Sequence, residues 1–194
     1  TADALFFTEP YCTFPKDFVE NLLADARSGK ISSGLVSVVA STNAVGWASA
    51  FFEYAAFLSG GVLRGTTTNN ILIPRRLLEP ISQWLDRGFW KYFFIAHLHG
   101  EEKIMQSTRS VIHHPPYDLA GFSARCFHHA RVFSAMKNED SSFAVRFFRA
   151  LLFPLVPWIL FSRTASIALR YKELKKKFFS VAVILLFFDV AWAT

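Results

Sequence analysis

The sequence predicts an α/β fold: a mixed sheet with flanking helices, followed by a pair of hydrophobic C-terminal membrane helices. Three observations carry that expectation. Short runs of strand formers at 4–7, 35–40 and 71–73 are separated by stretches whose apolar residues recur at helical spacing. The first run stops at Thr8-Glu9 and is followed at once by Pro10, which cannot continue a central ladder. The last fifty residues hold two long apolar runs around a basic stretch, unlike anything upstream.

Composition sharpens the division. The chain has 194 residues, is 52% hydrophobic and contains 22 Phe, which is rich for a soluble fold. Residues 1–142 read as an α/β region and 143–194 as a membrane-associated tail. The segment 162–177 sets Arg163, Arg170, Lys172, Lys175, Lys176 and Lys177 against the single acid Glu173. It supplies most of the formal charge of +6, so the basic balance is local and is not the footprint of a nucleic-acid binder. Cys12 and Cys126 form no disulfide framework and no metal-ligand spacing, and are expected to be free thiols in a reducing compartment.

In chain order, a strand at 4–7 delivers Glu9 to its C-terminal end, where open α/β sheets gather ligands. Glu9 is the first site candidate; the alternative is that Glu9-Pro10 opens a turn. With no initiator Met and no signal peptide, a strand this early suggests partners upstream, so the chain is expected to be a piece of something longer. A helix follows at 17–27, between Pro15 and Gly29, then the strand at 35–40 and an aromatic helix at 45–58 with Glu53 in its middle. No basic residue interrupts that helix, so its rings read as core or membrane-adjacent surface, not as a base-stacking platform. Residues 60–70 are the most loop-like segment and match no phosphate-binding fingerprint. The strand at 71–73, a helix opening at Pro74-Arg75-Arg76, a helix at 89–99, short strands at 103–106 and 110–113, and a helix at 118–136 complete the region. The six histidines show none of the zinc spacings, so a zinc site is not expected.

Several of these segments, taken in order, carry a resemblance. Thr8-Glu9 with Cys12 and Pro15, Val45-Gly46-Trp47 with Phe52-Glu53-Tyr54, Asn69-Asn70 before Arg75-Arg76, Phe89-Trp90, Val111-Ile112-His113 and Phe127-His128-His129-Ala130-Arg131 resemble the later half of a family 2 glycosyltransferase. The resemblance covers almost the whole chain and implies the C-terminal part of a GT-A-type, Rossmann-like domain lacking the nucleotide-binding first half. It implies transfer of a sugar from a nucleotide-sugar donor to a lipid-linked or envelope glycan acceptor, with Mg or Mn as the divalent metal. Glu9 and His113 would then hold the metal, Arg125, His128 and Arg131 would face the diphosphate, and Asn69 and Asn70 would line the acceptor side. The 125–131 cluster reads equally as a solvated or lipid-facing helix side. The family's catalytic acid would fall near Trp90-Lys91, and Lys91 stands there instead. Asp86 and Glu101 flank the position as substitutes. With one carboxylate at Glu9, Lys91 in place of an acid and no donor half, this chain alone is expected to be inactive.

Within the tail, 178–193 is interrupted only by Asp189 and is expected to span the membrane, although sixteen residues fall short of the ~20 a span needs. The run 147–161 contains Arg149, Pro154 and Pro157 and is expected to be re-entrant or interfacial. The basic loop 162–177 between them should stay cytoplasmic, with the catalytic region on the same side. Two further readings stand beside the transferase: an inactive membrane-anchored fragment or paralogue acting as a scaffold, and a small protein that binds anionic lipid through its basic segment.

Overall fold

The structure, a computed structural model, describes residues 3–27, 29–38, 43–55, 58, 70–79, 104–139 and 141–193. The loop 60–69 and the helix expected at 89–99 lie outside them. Contacts gather into two compact units, one from the described residues of Thr1–Val39 and Gly60–His114, the other from those of Ala40–Ser59 and Pro115–Thr194.

The first unit is a five-stranded mixed sheet: β1 (Ala4–Phe7), β2 (Cys12–Thr13), β3 (Ile31–Val38), β4 (Ile71–Pro74) and β5 (Ile104–His113), in the order β1-β4-β3-β5-β2. Only β3 and β5 run parallel; the other pairs are antiparallel. β1 is therefore an edge strand that is at best half-buried. The two short strands expected at 103–106 and 110–113 are one strand, β5. β3 begins four residues earlier than expected because Ser32, Ser33 and Gly34, poor strand formers, are buried in the middle of the sheet.

Gly34 has a steric reason to be there. A β-carbon at that position would sit 2.5 Å from Phe18 Cζ, so its absence lets helix α1 (Phe18–Arg27) press Phe18 against the sheet. Phe18 and Leu22 of α1 pack on Leu72 and Val111, with Phe6 and Phe14 closing the cluster. Two residues past the last residue of α1, Gly29 has a φ of +79°, the left-handed conformation that favours glycine.

The edges of this sheet must approach one another. Four strand spacings of ~4.8 Å separate β1 from β2 in a flat sheet, about 19 Å. Yet the five steps from Phe7 to Cys12 reach only about 17 Å fully extended. They are not extended, because Cys12 N–H donates to Glu9 O at 3.3 Å, closing a turn with Pro10 at its second position. The sheet therefore curls, and segment 8–11 crosses its end from one edge to the other.

The second unit is helical: α2 (Ala44–Tyr54), α4 (Leu119–Asn138), α5 (Phe143–Leu152), a 3-10 turn (Phe153–Leu155), α6 (Val156–Ala168) and α7 (Lys172–Ala193), with the short α3 (Arg75–Leu78) left to the first unit. Asn43 and Asp118 cap α2 and α4 by accepting from Gly46 N and Gly121 N at 2.8 and 2.7 Å. The core of this unit is built on α7. Its Leu174, Phe178, Val181, Leu185 and Phe188 recur at alternating steps of four and three and pack against Ala48 and Phe51 of α2, Phe122 and Cys126 of α4 and Ala168 of α6. Ring contacts lock the seam: Phe51 meets Phe178 edge-on at 5.8 Å and Phe122 meets Phe188 at 4.6 Å.

Two expectations for the tail are corrected here. The membrane helix pair is not present: the described residues contain one helical run long and apolar enough to cross a membrane, Phe143–Ala168, with 26 residues and mean hydropathy 1.7. The last apolar segment, 178–193, instead puts one side into the protein core. Nor is 162–177 a loop. It is the end of α6, a turn at 169–171 and the first turns of α7.

Candidate metal centre

One end of the curled sheet collects side chains from four places in the sequence. Thr8 and Glu9 follow β1, Asn70 precedes the antiparallel β4, His113 ends β5 and Cys12 opens β2. Cys12 and His113 are directly opposed in the β2–β5 pair, and opposed residues present their side chains on the same face. The turn at Pro10 folds Glu9 back over them. The result is a group of Glu9, Cys12 and His113 whose ligand atoms all lie within 4.8 Å of one another. Glu9 Oε2 is 3.3 Å from His113 Nε2, and the imidazole is 1% exposed against 15% for the carboxylate.

The surroundings hold these groups in place. The Tyr11 ring stands edge-on to the imidazole, centroids 4.9 Å apart. Thr8 Oγ1 donates to Asn70 Oδ1 at 2.8 Å and so fixes an amide that is fully buried. Asn70 Nδ2 meets no acceptor at hydrogen-bonding geometry among the described residues, and is placed to donate to the Cys12 sulfur once that sulfur carries charge. The Cys12 thiol is pushed up to about 11, first by burial and then by the Glu9 carboxylate, with Asn70 pulling the other way. A thiol held that high is no resting nucleophile, which argues against reading Cys12 and His113 as a catalytic dyad.

The arrangement does suit a cation. Oxygen and nitrogen ligands about 2.0–2.1 Å from a tetrahedral ion stand roughly 3.3 Å apart, and a thiolate at about 2.3 Å stands roughly 3.6 Å from them. Glu9 and His113 already have the first spacing, and Cys12 needs a shift on the order of 1 Å for the second. Among the described residues three protein donors converge here, one fewer than the four that close a structural site.

Of the residues the sequence singles out, Glu9 and His113 are brought together. Cys12 joins them, which spacing along the chain had not suggested; the signal that finds it is its pairing opposite His113. Asn70 lies beside the group as a buried support. Asn69, Asp86, Lys91 and Glu101 lie outside the described residues. Arg125, His128 and Arg131 belong to α4 in the second unit. Arg125 pairs with Glu53 Oε1 at 3.0 Å and lies over the Tyr117 ring, while His128 and Arg131 are exposed beside Phe127. A separate open cleft of about 560 Å³, lined by Asp3, Arg27, Arg75, Arg76 and Glu79, opens by Pro74, at the other end of β4 from Asn70.

No family model, curated protein or solved structure matches this chain at a significant level.

Proposed function

We propose that this chain is the C-terminal part of a membrane-associated glycosyltransferase, in which Glu9, Cys12 and His113 hold a divalent metal that binds the diphosphate of a nucleotide-sugar donor. The observation that carries the reading is the convergence of those three ligands, 104 positions apart in sequence at the extremes, at the end of an α/β sheet where such ligands gather. When bound, the metal supplies positive charge to the leaving diphosphate. The protein's own part is to hold the carboxylate and imidazole at ligating distance and to brace them with Tyr11 and Asn70. The acceptor class, a lipid-linked or envelope glycan, follows from the apolar surface of the second unit. Residues Phe143, Phe147, Phe148, Leu151, Leu152, Trp158 and Ile159 are all more than half exposed.

The membrane association we propose is interfacial and on the cytoplasmic face. α7 follows the apolar run yet shares its core with α2 and α4, which precede it, so all three stand on one side of the bilayer. The cations from Arg163 to Lys177 then meet anionic headgroups. Cysteine introduced at Ser166 should resist a membrane-impermeant reagent in intact cells and label after lysis.

The activity test uses membranes carrying the natural protein and a panel of labelled nucleotide sugars. Incorporation into lipid or glycan should require a divalent ion and fall by at least about 100-fold in His113→Ala. Incorporation unaffected by both chelation and His113→Ala would refute the metal reading.

A further inference from the structure

We infer that the centre formed by Glu9, Cys12 and His113 takes a thiophilic divalent ion of the zinc or cobalt type and discriminates against magnesium, with Cys12 as the selecting ligand. The inference rests on the metal reading above and departs from the hard Mg or Mn ion that the family resemblance implies.

The donor set is the first argument. Magnesium takes near-octahedral oxygen shells and keeps most of its water, for which a single carboxylate is a poor host. One thiolate sulfur, one imidazole nitrogen and one carboxylate oxygen are the mixed set that zinc and cobalt prefer. The second argument is the shell. The imidazole is 1% exposed, so a fully hydrated ion has no room to sit against it. The third is Asn70. Its amide nitrogen is buried without an acceptor among the described residues, an arrangement that costs free energy as long as the neighbouring sulfur is a neutral thiol. A metal-bound thiolate is an acceptor in the right place, and the hydrogen bond that Thr8 makes to the other end of the amide holds Asn70 in the orientation that uses it. Binding exchanges the thiol proton for the metal: the S–H bond breaks, the sulfur–metal bond forms and the proton leaves to solvent, with no change of oxidation state.

The experiment is a Co²⁺ titration of the full chain in detergent micelles, followed by absorption. One equivalent should bring up a thiolate-to-cobalt charge-transfer band together with ligand-field bands of tetrahedral intensity. Zn²⁺ should displace the Co²⁺ at stoichiometric concentration, and Mg²⁺ should fail to do so at 1000-fold excess, on the order expected when a borderline-soft ion competes with a hard one at a sulfur-containing site. Cys12→Ser should abolish the charge-transfer band, Cys126→Ser should leave it in place, and Asn70→Leu should weaken binding by about 10-fold to 100-fold, as loss of an outer-shell partner does. Ligand-field bands without the thiolate band, or displacement by Mg²⁺ as readily as by Zn²⁺, would overturn the thiophilic assignment and leave a metal centre of Glu9 and His113 standing. No Co²⁺ binding by the wild-type chain would remove the metal centre itself, and this inference with it.

Discussion

Asp189 offers a test that needs no knowledge of the substrate. It sits on α7 beside Phe188 and is 2% exposed, and its Oδ2 has no hydrogen-bond partner among the described residues. Burial raises its carboxyl from the ordinary 3.8 to about 7. The sign of the effect follows. Below the ordinary value both the folded and unfolded chains are protonated, and the group is neutral with respect to stability. Between that value and about 7 the fold keeps a proton that the unfolded chain has released, so stability falls as pH rises, by about 1.4 kcal/mol per pH unit. Above about 7 the fold carries a buried, unpaired carboxylate at a cost on the order of 4 kcal/mol, three units of that slope. Asp189→Asn keeps the shape and removes the ionisation. The assay is thermal unfolding in mild detergent from pH 4 to pH 9, read by tryptophan fluorescence. The variant should match the wild type at pH 4 and exceed it at pH 8 by on the order of 10 °C, at about 2–4 °C per kcal/mol for a chain of this size. Wild-type and variant curves that stay parallel across this range would refute the reasoning.

Three further outcomes follow from packing and charge. Gly34→Val drives a side chain into the Phe18 ring, which a β-carbon would already approach to 2.5 Å, and should destabilise the first unit by about 1–3 kcal/mol, measured by denaturant unfolding. On vesicles, replacing Phe143, Phe147 and Phe148 together by Ser should weaken partitioning by about 10³-fold or more, at about 1.5–3 kcal/mol per buried ring. Replacing Lys175, Lys176 and Lys177 by Gln should cost about 100-fold on anionic vesicles at low salt and nothing on neutral ones, at about 1 kcal/mol per lysine; both are read by sedimentation.

What the sequence showed well were elements with a local cause. The helix at 17–27 lies between Pro15 and Gly29, the helix at 118–136 begins at a capping Asp118, and both appear within two residues of expectation. Ser32, Ser33 and Gly34 hid the first half of β3, since small polar residues join a strand only when tertiary packing buries them. β5 looked like two strands because Gln106 to Ser110 carries no apolar alternation, and the pairing with β3 that holds it together shifts register there. The site follows the same rule. Glu9 and His113 could be singled out as residues at strand ends, but Cys12 could not, because its neighbour His113 lies across a ladder whose register is set by the whole sheet. Metal spacings read along a chain find ligands on one turn or one helix, and this centre joins the turn that carries Glu9 and Cys12 to His113, about a hundred residues away on another strand.

The tail shows the opposite limit, where composition was clear and its meaning was not. Both runs are apolar in composition, yet among the described residues only 143–168 is long and apolar enough to cross a membrane, and their partners differ as well. In 172–193 the residues at alternating four and three steps are covered by α2, α4 and α6, so its apolar character is largely that of a core. In 143–152 no residue is buried, and Arg146 and Arg149 turn back to bond Glu139 O at 3.2 Å and Ser141 Oγ at 3.0 Å, leaving the phenylalanines outward. At about 1.5 Å per residue the run of 26 is about 39 Å long, more than the ~30 Å of a bilayer core, so length alone would allow it to cross. In the interfacial arrangement proposed above, what opposes crossing lies downstream. A single crossing would carry α7 away from α2 and α4 and strip Phe178, Leu185 and Phe188 of the rings and helices that cover them, at about 1.5–3 kcal/mol for each side chain. Pro154 and Pro157 interrupt the regular α-helix with the 3-10 turn at Phe153–Leu155, and α6 beyond it returns Ala168 to the core.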